Sequence, residues 1–204
     1  MTICVEEPCL TTPLIVATGN PGKVKEFQQF FDRLDSHAWD VRIKPPELDI
    51  EETGTTFADN ALIKARSVAT VLNQWALADD SGLAVDALGG APGVYSARYA
   101  PTPSECIDRL LVELDGQSDR GAEFICEIVL CRPDGSVAAT ASGRCRGEIL
   151  TQRRGDGGFG YDPVFFVPDE GMTFAEMSID RKREIGHRGR ALERLQSQLL
   201  QLGT

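Results

Sequence analysis

The sequence predicts an α/β protein with a mixed sheet, arranged as two lobes around a cleft. Three observations carry this expectation. The first half alternates short apolar runs with helical patterns, in the order of a βαβα chain. The second half is rich in hairpin signals. The 204 residues suffice for one sizeable core or two lobes sharing one.

Residues 1–13 have no periodic pattern and read as an N-terminal extension, leaving 14–204 as a single domain. Leu14–Ala17 is a β-type run, followed by TGNPGK and a helical pattern over Lys23–Leu34. Val41–Ile43 reads as a second strand. The loop KPPELDIEETGTT leads into a helix over Phe57–Leu72, capped by Thr56 or Asp59, with Leu62, Ala65, Ala69 and Leu72 on one face. Trp75–Ala78 is a third strand that ends at Asp79 and Asp80. Gly89–Tyr95 is turn-rich, and Ser104 caps a helix facing inward through Ile107, Leu110, Leu111 and Leu114. Ala122–Cys131 and Ser136–Arg146 form a hairpin across RPDG. Val164–Val167 is a further strand, and Ile185–Leu200 is the last helix.

The bulk numbers narrow the partners. A formal net charge of −10 repels polymeric nucleic acid and anionic membrane, yet leaves room for a small anion held by local cations. No stretch approaches the ~20 apolar residues of a membrane span. The acidic start MTICVEEPCL lacks the features of a signal peptide, so a cytoplasmic location is expected. The six cysteines contain no CxxC pair and the chain has only two histidines, so a zinc site is not expected and reduced, buried thiols are.

Five stretches carry chemistry. TGNPGK follows a strand and opens a helix, where glycines, free helix N–H groups and Lys23 together suit an anion; a plain turn capped by Thr18 or Asn20 is the alternative. The spacing is not that of a Walker loop. Glu51 and Glu52 precede a helix, and Asp79 and Asp80 interrupt an apolar run where open α/β sheets place ligands. Magnesium takes one or two carboxylates plus substrate phosphates, so these acids suit it; turn capping and solvation are the alternative. GDGGFGYDP lets the backbone approach a flat ligand on which Phe159 stacks, unless the aromatic is only a plug. RKREIGHRGRAL offers Lys182, His187 and Arg188, either to a pocket or to solvent.

Each stretch is weak alone, but their joint order is specific. TGNPGK, EETGTTFADNALIKA, ADDSGLAVDALGGAPGVYSARYA, GGFGYDPVFF and HRGRAL resemble the inosine triphosphate pyrophosphatase family, including bacterial dITP/XTP pyrophosphatases, from about Leu14 to about Leu192. The resemblance implies an elongated central mixed sheet flanked by helices, two lobes with an active-site cleft, and a homodimer. It implies Mg2+-dependent hydrolysis of deaminated purine triphosphates (ITP, dITP, XTP) to monophosphate and pyrophosphate, cleansing the nucleotide pool.

Carried over residue by residue, Thr18, Gly19, Asn20, Pro21, Gly22 and Lys23 hold the triphosphate, with Lys64 adding a cation. Asp80 is the proton acceptor and a metal ligand, and Ser81 lies on substrate. Glu51 or Glu52 shares the magnesium, and Asp79 is a weaker candidate, as a metal ligand or as a residue supporting one. Phe159, Gly160, Tyr161 and Asp162 contact the nucleoside, while Lys182, His187 and Arg188 complete base recognition. The rival expectations are a pyrophosphatase for modified nucleotides, a non-catalytic nucleotide sensor and a phosphatase releasing orthophosphate.

Overall fold

The structure, a computed structural model, describes residues 11–34 and 39–202. Seven strands form one mixed sheet in the order β2-β1-β3-β4-β5-β6-β7. The strands are β1 (Thr12–Val16), β2 (Trp39–Ile43), β3 (Trp75–Val85), β4 (Gly121–Cys131), β5 (Val137–Ile149), β6 (Phe165–Val167) and β7 (Met172–Thr173). Five helices accompany them: α1 (Pro21–Phe31), α2 (Phe57–Leu72), α3 (Pro103–Glu113), α4 (Ile179–Ile185) and α5 (His187–Leu202). β1 runs parallel to both β2 and β3, and all later pairings are antiparallel. The helical crossovers of the first half require the parallel part, and the RPDG hairpin begins the antiparallel part.

Helix starts follow from caps. Asn20 accepts the Gly22 N–H at 2.8 Å and Pro21 opens α1. Thr56 accepts the Asp59 N–H at 3.1 Å and donates to the Asp59 carboxylate at 2.7 Å, a reciprocal lock on α2. Thr102, rather than the expected Ser104, caps α3 through the Glu105 N–H, because Pro103 takes the first helical position.

Several expected boundaries move. β1 begins at Thr12, so the end of the expected extension belongs to the sheet; residues 1–10 lie outside the described residues. α1 begins at Pro21 and ends at Phe31, short of Leu34. β3 does not stop at Ala78 but continues through both aspartates to Val85. β6 begins at Phe165 rather than Val164. The last helix begins at His187 rather than Ile185, and an unexpected helix, α4, precedes it, the two separated by Gly186 with its extended backbone (φ −75°, ψ 161°).

The core falls into three apolar clusters. One lies under α1 and α5 and contains Leu14, Phe27, Leu77, Ile128 and Leu195. A second lies under α2 and contains Ala65, Val68, Ala76 and Ala78. The third surrounds α3 and β6, with Leu83, Leu110, Phe124 and Phe165. β3 feeds all three, and the polar run Asp79–Ser81 sits at the waist between them.

Candidate active site

Adjacent strand residues point to opposite faces of a sheet. Asp79 and Asp80 therefore enter different surroundings. Asp79 faces α1 and α5, where both its oxygens lie 2.9 Å from Lys23 Nζ and Oδ2 lies 3.0 Å from Arg188 Nη2. Arg188 also donates to Ser81 Oγ (3.2 Å) and pairs with Glu26 (3.2 Å). Burial alone would lift the Asp79 carboxyl, but Lys23 and Arg188 outweigh it and hold it far below the usual carboxylate range. Asp79 is thus spent on the protein's own cations.

Asp80 faces α2. Lys64 Nζ donates to it at 2.9 Å and to Glu52 at 2.9 Å, and the amide of Asn60 reaches it at 3.3 Å. Arg98 takes the other Glu52 oxygen at 3.0 Å. Burial raises Asp80 above the usual range against the pull of Lys64, with Glu52 adding a smaller lift. Glu52 is lowered, because Lys64 and Arg98 together overcome its burial. Glu51 is exposed and makes none of these contacts. Glu52 and Asp80 present hard oxygen donors to a single shared positive charge, which is the donor chemistry a divalent cation needs. Among the described residues no group of three or more acids, histidines and cysteines stands ready for a metal, but magnesium needs only one or two carboxylates beside substrate phosphates.

A gap in the sheet joins the two faces. β1 pairs with β3 only as far as Leu77, whose carbonyl accepts the Ala17 N–H at 2.8 Å. The next partner on that edge is the 3-10 turn Gly93–Arg98, with Leu83 N–H on Ser96 Oγ at 2.8 Å. Alternate residues of a strand turn their backbone groups to the same edge. Asp79 and Ser81, in phase with Leu77 and Leu83, therefore aim their N–H groups into a notch where no described backbone group pairs with them. Thr18–Lys23 walls the notch on one side and Gly93–Arg98 on the other.

The Thr18–Lys23 loop is shaped by its polar side chains. Thr18 Oγ1 accepts the Asn20 N–H at 3.1 Å, and Asn20 caps the helix. Gly19 and Gly22 are not among the glycines with positive φ, so the expected glycine-driven turn is replaced by this capping chain. Gly19 faces open space, where a Cβ would meet nothing within 4 Å.

A cavity of about 560 Å³ opens on the α1 and α5 face, within the range of small-molecule sites. Phe30, Phe159, Phe174, Lys182, His187 and Arg188 are among its walls. Phe159 is 56% exposed on a loop whose flanking Gly158 and Gly160 have φ of 71° and 58°, so its ring is available to a flat ligand. Asp162 pairs with Lys182 and accepts the Phe159 N–H at 2.7 Å, fixing that loop. His187 stacks on Phe124 with centroids 4.7 Å apart, and its Nδ1 has no partner. Burial, then the charges of Arg188 and Lys182, keep it neutral by lowering its pKa well below 6.5. Tyr161 departs from expectation. It is 4% exposed in the core and donates to Ser96 O at 2.9 Å, so it braces the turn and does not wall the cavity.

The profile of the Ham1 family matches residues 14–198. The chain belongs to the Ham1 family. Two of its Ham1 relatives are the dITP/XTP pyrophosphatases of Nostoc sp. and Thermosynechococcus vestitus. The first is 52% identical, covering 91% of this chain and 93% of its own. The second is 55% identical, covering 89% and 92%. The fold matches the solved HAM1 protein of Coxiella burnetii at a TM-score of 0.85 and 40% identity, covering 94% of this chain and all of that one. It also matches a Mycobacterium abscessus structure described as nucleoside-triphosphatase / dITP/XTP pyrophosphatase at 0.75 and 36%, covering 90% and 97%.

Three participants escaped the sequence reading: Asn60, Arg98 and Glu26. Asn60 had a signal, since an amide one turn before Lys64 on the inward face of a helix asks for a buried partner. Arg98 and Glu26 had none, because an isolated charge in a turn or on a helix reads as solvated.

Proposed function

We infer that this chain hydrolyses deaminated purine nucleoside triphosphates (dITP, ITP, XTP) to the monophosphate and pyrophosphate, removing them from the nucleotide pool. The observation that carries this reading is the notch beside Asp80. It has free strand N–H groups, a helix N-terminus on one wall, a paired-acid site on the other face and an aromatic cavity alongside.

In this reading Thr18–Lys23 and the start of α1 bind phosphate oxygens, which the helix dipole and free N–H groups favour. Lys64 and Ser81 add donors. Glu52 and Asp80 would hold Mg2+, which supplies charge neutralisation at the phosphates and acidifies a water when bound. Asp80, raised by burial, accepts the proton of the attacking water. Lys64 keeps Asp80 oriented, and Lys23 offsets charge gathering on the departing pyrophosphate.

Phe159 stacks on the base, Gly160 lets the loop approach it, and Asp162, Lys182, His187 and Arg188 line up along its edge. A 6-oxo base offers an acceptor where adenine offers a donor. A pocket built on hydrogen bonds rejects such a mismatch by up to ~10⁴–10⁵-fold. Guanine is rejected at its 2-amino group. The described chain acts as one domain from β1 onward, in a cytoplasmic homodimer. The free, buried state of Cys106, Cys126, Cys131 and Cys145 suits a reducing compartment. No described helix is long and apolar enough to cross a membrane.

Product analysis tests the reading. Purified protein with magnesium is expected to release monophosphate and pyrophosphate from dITP and XTP, and little from dGTP or dATP. Orthophosphate as the first product, or no turnover of dITP and XTP by folded protein, overturns it.

A further inference from the structure

We propose that Arg98 is a further polyphosphate-binding residue, whose guanidinium exchanges the Glu52 carboxylate for phosphate oxygens when substrate enters. This rests on the reading of the notch given above. Three observations support it.

Arg98 stands at the right place on a fixed support. Its turn forms the wall of the notch opposite Thr18–Lys23 and is tied down from several directions. Ser96 Oγ accepts the Leu83 N–H at 2.8 Å and donates to Gly93 O at 2.6 Å, while Tyr161 Oη donates to Ser96 O at 2.9 Å. Gly82 admits this turn, since a Cβ there would lie 2.4 Å from Ser96 Oγ and 2.7 Å from Gly93 O.

Arg98 is also the least committed of the three described cations Lys23, Lys64 and Arg98 beside the notch. Lys23 is engaged by both oxygens of buried Asp79. The Lys64 side chain is only 11% exposed, shared between Glu52 and Asp80. The Arg98 side chain is 48% exposed and spends one donor on Glu52 at 3.0 Å. A guanidinium has five N–H donors in a planar fork, so most of its capacity faces outward. The Tyr95 ring, 5.3 Å from the guanidinium carbon, supports that plane.

The exchange is energetically downhill in kind. An exposed single-contact ion pair contributes little, whereas a bidentate guanidinium–phosphate contact is among the stronger polar interactions. Releasing Glu52 also frees a carboxylate oxygen for the divalent cation that accompanies a polyphosphate. Arg98 would then mark substrate arrival on both partners at once.

The test titrates inorganic pyrophosphate, with magnesium chloride, into the full chain and its Arg98→Gln and Arg98→Lys variants by calorimetry. The same proteins are compared for KM and kcat on dITP. Arg98→Gln is expected to weaken pyrophosphate binding and raise KM about tenfold, the size of one lost charge-assisted contact, with a smaller change in kcat and an unchanged melting temperature. Arg98→Lys is expected to recover part of the loss. Equal pyrophosphate affinity in wild type and Arg98→Gln, or no pyrophosphate binding by wild type, overturns the proposal. If wild-type protein binds pyrophosphate but turns over neither dITP nor XTP, the functional reading fails while the titration still decides Arg98.

Discussion

Asp79 and Asp80 are neighbours in one strand, yet each is neutralised by a different lysine on a different face of the sheet. Lys23 meets Asp79 at 2.9 Å from α1, and Lys64 meets Asp80 at 2.9 Å from α2. Two adjacent carboxylates inside a strand are tolerated because strand geometry separates their environments. The two residues consequently do different work, one binding the fold together and the other facing chemistry.

Replacing Asp80 by Asn should remove turnover and spare the fold. Loss of the proton acceptor is expected to lower kcat on dITP by about 10²–10⁴-fold. Lys64 keeps its contact with Glu52, so no unpaired charge is buried. Kinetics and a thermal melt on one preparation check both halves, and near-normal turnover would reassign the base.

The opposite pattern is expected of Asp79→Ala. Lys23 and buried Arg188 then lose their shared anion, and breaking a buried pair costs about 3–5 kcal/mol. Because the folded Asp79 carboxyl titrates below its ordinary 3.8, its contribution is fully present above that value and is lost as pH falls through the depressed one. Urea unfolding of wild type and variant measures the difference; a cost under about 1 kcal/mol would contradict the assignment.

Glu52 and Glu51 separate by the same logic. Glu52→Gln is expected to raise the magnesium concentration needed for half-maximal activity by about tenfold or more, while Glu51→Gln leaves it unchanged. A magnesium titration of the two variants decides which glutamate serves the metal. A shift confined to Glu51→Gln would reverse the choice.

His187 makes stability depend on pH. Burial holds it neutral in the fold, whereas an unfolded histidine takes up a proton near pH 6.5. Below about that pH the unfolded state binds more protons, so stability falls as pH falls, by up to ~1.36 kcal/mol per unit from this group. Urea midpoints at about pH 7.5 and about pH 5.5 should diverge less in His187→Gln than in wild type. Identical divergence would mean that His187 carries no titration.

Gly82→Ala tests how tightly the far wall of the notch is seated. The added carbon meets Ser96 Oγ, Gly93 O and Phe57 Cε1, all within 2.9 Å. Overpacking of this kind costs about 1–3 kcal/mol, and here it pushes Arg98 away from Glu52. The melting temperature and KM for dITP are expected to worsen together. A variant with both intact would show that the turn has room to move.

Local signals were legible in the sequence, and distant pairings were not. The span of α2 matched expectation because Thr56, the aliphatic face and the following Asn73 act within a few residues of one another. β3 was cut short at Ala78 because charges inside an apolar run look like an end. The partners of Asp79 lie 56 and 109 residues away in Lys23 and Arg188, and that of Asp80 lies 16 residues away in Lys64. α4 escaped notice because it buries no residue, so it has no apolar stripe to reveal it. In the site, motif order singled out Asp80, Lys64, Phe159 and His187, which the fold places at the notch or the cavity. It could not tell Glu51 from Glu52, or see that Tyr161 turns inward, because neighbours in sequence differ only in which way the folded backbone aims them.

The long strands β3, β4 and β5 run from one half of the molecule to the other; β3 and β4 keep continuous register from Ala76–Cys131 to Val85–Ala122, and β4 and β5 shift register only at Leu130/Cys131. They form a stiff spine. A clamshell motion between the halves would have to bend or unzip that ladder. Adjustment is left to the loops at the notch and to side chains such as Arg98 and Phe159.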